Sequence, residues 1–150
     1  MNVSSIYDDP AVEEQWCDER RQQVIGYLAK QGLKHGEVGE WPAWHIPPYV
    51  SVWAIESLVS PGCLGWWVIC GDLPTDYISA SDIYHPREAM RAIAERWQEI
   101  SGYMNRGEPH PTMAIGPRES WPTVAPLLSS RSQILLDWAD DGELWEGLED

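Results

Sequence analysis

The sequence predicts the α+β class, as a three-stranded antiparallel sheet in meander order packed against three main helices. Long stretches on either side of the middle carry apolar residues at helical spacing, while the middle is rich in β-branched and aromatic residues. The connections within that middle are short, which suits antiparallel neighbours and leaves no room for crossovers. At 150 residues the chain has the size of one domain. It is read as one over 1–150, with a short flexible start at about 1–8 and an acidic tail at about 142–150.

The elements follow in order. Asp9-Pro10 opens a first helix, with Asp9 as N-cap and Pro10 in the first turn, and Gly32 closes it after Gln31. Val12, Trp16, Cys17, Val24, Tyr27 and Leu28 form its apolar stripe, and Arg20 interrupts that stripe near its centre. Residues 35–48 mix Gly, Pro and Trp and read as ordered but irregular. YVSVWAIES (49–57) reads as a strand, Ser60-Pro61-Gly62 as a turn, and LGWWVICG (64–71) as a central strand with few polar residues. Asp72-Leu73-Pro74-Thr75 reads as a second turn and DYISA (76–80) as a short third strand. A second helix starts at His85-Pro86 and ends near Gly107, with Met90, Ile93, Ala94, Trp97, Ile100 and Met104 on its stripe. After a Pro-rich connector (108–117) and a short turn near Glu119, a last helix is expected over Pro126 to Asp140. Its stripe of Leu127, Leu128, Ile134, Leu135 and Trp138 also holds an arginine, Arg131.

Composition narrows the function classes. Acidic side chains number 24 against 10 basic ones, a net charge of −14. Such a chain repels phosphate backbones and anionic lipid, so neither nucleic acid nor membrane is expected as a partner; a basic protein is favoured. Ten Trp and six Tyr stand beside no Phe, a set whose rings each bring a polar handle to core edges and binding surfaces. Three cysteines without C-x-x-C spacing fit reduced thiols. With no basic start followed by an apolar run, and no apolar run of membrane-spanning length, a cytoplasmic location is expected.

Catalytic templates are missing from the sequence, and His35, His45, His85 and His110 stand isolated, so no metal and no cofactor is expected. Polar constellations remain. Asp72 and Asp76 could flank a turn and hold a cation or a water, or simply cap local backbone. Arg20 and Arg131, set in apolar stripes, each need a carboxylate or a route to water, and pairing of either with Asp72 or Asp76 is expected. In Gly39-Glu40-Trp41-Pro42-Ala43-Trp44-His45-Ile46-Pro47-Pro48-Tyr49, rings alternate with prolines in a stiff segment. Exposed, it is an interface anchor; buried, it is a lid on the sheet edge.

The stretches EWPAWHIPPYVSVWAIES, GWWVICGDLPTDYISA, HPREAMRAIAERW and LLDWADDGELWE resemble a small family of uncharacterised bacterial proteins, a domain of unknown function. The resemblance runs from about Glu14 to Glu146 and implies a bacterial, cytoplasmic origin; it implies no reaction. The leading expectation is a non-catalytic protein-binding protein, like an immunity protein or antitoxin, engaging a basic, toxin-like partner, with a homodimer compatible. Its binding candidates are Trp41, Trp44, His45, Trp66, Asp72, Asp76, Arg20 and Arg131. The alternative is a small enzyme or ligand-binding protein with a pocket near Asp72 and Asp76, completed by Trp66, His45 and Arg20.

Overall fold

In the computed structural model, which describes residues 3–148, the chain forms two compact units, one running to Ala89 and the other starting at Met90. The first unit opens with a 3₁₀ helix, Val3–Asp8, in the stretch expected to be flexible; residues 1 and 2 lie outside the described residues. Helix α1 then spans Pro10–Gln31. Asp9 accepts the Ala11 N–H at 2.9 Å, and Pro10 occupies the first turn, where a missing N–H costs nothing. Gly32, at φ 67°, stops the helix by turning its N–H back onto the last turn.

Four strands, not three, form the sheet: β1 (Trp44–Ile46), β2 (Val50–Glu56), β3 (Leu64–Gly71) and β4 (Leu73–Ser79), antiparallel and in sequence order. The strand that sequence reasoning missed is β1, which lies in the Pro-rich segment and pairs Trp44 with Val52 and Ile46 with Val50. With Pro42 before it and Pro47-Pro48 after it, this three-residue edge strand has no local signature; β2 supplies its register. The expected turn over 72–75 is also shorter. Reversal occurs at Gly71 and Asp72, and Leu73 already pairs with Gly71. Gly71 has φ 145°, and a Cβ there would meet the Tyr49 carbonyl oxygen at 2.5 Å, so only glycine lets the chain turn so tightly.

One sheet face packs under α1. Trp53, Ile55, Val68 and Cys70 meet Val24 and Leu28, with Val38 closing the side. Full burial of each large aliphatic side chain contributes about 1.5–3 kcal/mol. The Trp53 indole N–H donates to Ser51 Oγ at 2.9 Å, and Ser51 donates to the Cys70 carbonyl at 3.0 Å, so the polar atoms of this layer satisfy one another. The opposite face, with Val50, Val52, Trp67 and Ile69, is buried too, in keeping with the few polar residues of β3.

Helix α2 spans Pro86–Arg106, and the His85 ring accepts the Arg87 N–H at 3.0 Å at its start. Met90, Ile93, Ala94, Trp97 and Met104 are buried, as its stripe predicts. In the connector that follows, His110 Nδ1 accepts the N–H groups of Thr112 and Met113, both at 3.1 Å. A 3₁₀ turn, Arg118–Ser120, leads into α3, Trp121–Asp140. This helix begins five residues before Pro126, the start expected from sequence. Pro122 takes the tolerated first-turn position, and Pro126 forgoes one interior hydrogen bond while staying exposed. A further 3₁₀ turn, Gly142–Trp145, sits in the stretch expected to be an acidic tail, and Glu149 and Asp150 lie outside the described residues. No helix among the described residues is long and apolar enough to cross a membrane.

Candidate functional site

The first turns of α1 and the connector before β1 enclose a cleft of about 630 Å³, lined by Glu13, Glu14, Cys17, Asp18, Glu40 and Trp41 among others. Arg21 sets its far wall. From α1 its guanidinium donates to the carbonyl of Gly39 at 2.9 Å and to that of Val38 at 3.0 Å, fixing the chain just before Glu40 and Trp41. The connector is tied to the sheet as well: Gly39 N–H donates to Ala54 and Ala43 N–H to Val52. Trp41 is thus an exposed ring (48 %) on an anchored backbone.

Behind this wall stands His45 on β1. Its Nε2–H donates to Glu13 Oε2 at 2.9 Å, with the two side chains 15 % and 34 % exposed. Trp16 stacks against the imidazole at 6.3 Å, and Trp41 meets it edge-on at 5.4 Å. Cys17 also lines the cleft, and burial together with the neighbouring Glu13 charge pushes its thiol up to about 11, which disfavours the thiolate.

Next to this cleft lies a shallower one of about 670 Å³, between the connector and the mouth of the β2–β3 hairpin. Glu40 belongs to both, and Glu37 and Glu56 line the second. Glu56 closes the hairpin mouth, accepting the N–H of Glu37 at 3.1 Å and of Gly62 at 2.7 Å, and these bonds hold its carboxyl below the usual range. Six carboxylates, Glu13, Glu14, Asp18, Glu37, Glu40 and Glu56, therefore border the two clefts, whose linings contain no Lys or Arg.

Of the residues singled out from sequence, the structure brings Trp41 and His45 together. Trp44 is buried on β1, so the Pro-rich segment is exposed at one ring and core at the next. Trp66 is half-buried on β3, edge-on to Tyr77 at 5.9 Å, and packs against the core under α1. Asp72 is exposed at the bend, whereas Asp76 sits within β4 opposite Ile69 and accepts the Tyr77 N–H at 2.9 Å, so the two do not flank a common turn. Arg20 lies with its Cζ 5.7 Å from the Trp16 ring, and its Nε is buried without a hydrogen-bond partner, so no carboxylate reaches that atom. Arg131 is half-buried on α3, in the other unit.

Glu13, Glu14, Asp18 and Glu37, which line the clefts, were not singled out from sequence. A usable signal was present: Glu14 and Asp18 are like charges at i, i+4, a spacing that destabilises a helix unless something else uses it.

Residues 10–145 match the family model for a domain of unknown function (DUF4826). Comparison with curated proteins and with solved structures gives no match.

Proposed function

From the premise that the chain belongs to the DUF4826 family, a domain of unknown function, we propose a non-catalytic protein-binding protein that engages a basic partner, in the manner of an immunity protein holding a cationic toxin. One observation carries this reading: six carboxylates border two adjoining clefts without a single lining Lys or Arg, beside the exposed ring of Trp41. Acidic charge on this scale steers a cationic partner into encounter. An aromatic ring on a fixed backbone then supplies contact area with little entropy left to lose. The raised thiol of Cys17 leaves little thiolate in the cleft near neutral pH. A small-molecule site at Asp72 and Asp76 draws less support, because the two residues occupy different structural settings.

The test is affinity capture from lysate of the source organism at about 0.15 M salt, where exposed charges act over only about 8 Å. The expected result is one basic protein retained by the native chain and lost from the combined Glu14→Gln, Asp18→Asn, Glu40→Gln variant. Retention by that variant, or no basic protein retained by either, sinks the reading.

A further inference from the structure

Glu13 serves two neighbours at once. It is a wall of the cleft, and its Oε2 accepts the Nε2–H of His45 at 2.9 Å. Trp41, the other wall His45 touches, meets the imidazole edge-on at 5.4 Å. A charge acquired by His45 is therefore felt in the cleft, most directly at Glu13. Resting on the basic-partner reading, we propose that His45 makes cation binding in this cleft proton-linked. With His45 neutral, the Glu13 carboxylate keeps its full charge for a guanidinium or ammonium group of the partner. With His45 protonated, the imidazolium neutralises Glu13 and repels the incoming cation.

The charged and titratable surroundings set the sign. From α1, Glu13 bonds the ring directly, and Arg20 has its Cζ 5.7 Å from the Trp16 ring that stacks on His45. Tyr7, from the 3₁₀ helix, meets the same Trp16 edge-on. From the connector, Glu40 shares the cleft with Trp41, and Glu14 and Asp18 complete its acidic lining. Protonation of His45 thus places a cation beside a site whose lining charges are all negative, so affinity for a basic group falls as pH drops. Partial exposure of the His45 and Glu13 side chains limits the coupling to roughly fivefold.

The experiment is titration calorimetry of a hexa-arginine peptide into the full chain at pH 8 and pH 6. Two buffers of different ionisation enthalpy report proton release. Binding about fivefold tighter at pH 8, with protons released on binding near pH 6, is the expected result. His45→Gln should flatten the pH dependence and abolish the release. Glu13→Gln breaks the same link from the other side and carries the test should the His45 variant fold poorly. Equal affinity at both pH values without proton release would overturn the coupling and leave the acidic-face reading standing. Undiminished pH dependence in both variants would overturn it too, whereas no peptide binding at either pH would overturn the coupling and the reading together.

Discussion

The three cysteines show how placement decides chemistry at the residue scale. Cys63 is exposed at the hairpin, while Cys17 and Cys70 are buried, and burial pushes both of their thiols up. Iodoacetamide on the native protein should add a single group, at Cys63; intact mass before and after denaturation checks this, and three rapid adducts on the folded chain would contradict it. Cys17 also sets an alkaline limit. Its ordinary value of 9.0 rises to about 11 in the fold, so the unfolded chain loses this proton first. The stabilisation is complete below pH 9 and is lost as pH rises through about 11. Urea midpoints measured from pH 8 upward should therefore fall less steeply for Cys17→Ala than for the native chain.

Single contacts hold the elements in place around the clefts. Glu56 bridges the connector and the hairpin mouth with two accepted N–H bonds that keep its carboxyl below the ordinary 4.5. A lowered carboxyl stabilises above its unfolded value and loses that contribution as pH falls through the folded one. Protection factors at the Glu37 and Gly62 amides, each taken against the intrinsic exchange rate at its own pH, should fall as the solution is acidified below pH 4.5, and Glu56→Gln should remove most of that dependence. At the next reversal, Gly71→Ala is expected to cost about 2–4 kcal/mol in chemical denaturation, since both its positive φ and the Tyr49 carbonyl oppose a methyl group.

What was legible in the sequence follows the same division between local and distant causes. Both ends of α1 could be read, because Asp9-Pro10 and Gly32 act on their own neighbours. Strand β1 could not, because its pairing partner lies beyond the prolines that hide it. Pro126 concealed the true start of α3 by imitating a first-turn proline. Trp41 and His45 stood out by composition, but Glu13 did not, since it meets His45 across 32 residues of chain.

At the scale of the whole molecule, a charge of −14 repels itself. Raising salt from about 0.01 M to about 0.15 M shortens the screening length from about 30 Å to about 8 Å and should raise the melting temperature by a few degrees. A fall instead would mean that attractive pairs outweigh the repulsion. If the chain engages a basic partner as proposed, the same acidity would weaken that binding as salt rises, so stability and affinity should move in opposite directions along one salt series.

Ten indoles share the chain, yet Trp41 alone among them is exposed, and it stands in the acidic cleft. Its light emission should therefore be the reddest of the ten and should respond to the sign of a collisional quencher. Caesium ions, drawn in by the carboxylates, should dim the red edge of the spectrum, while iodide at equal ionic strength is held away. The molecule thereby carries its own optical reporter at the cleft, and a cationic occupant seated there would announce itself by shielding that one ring from caesium.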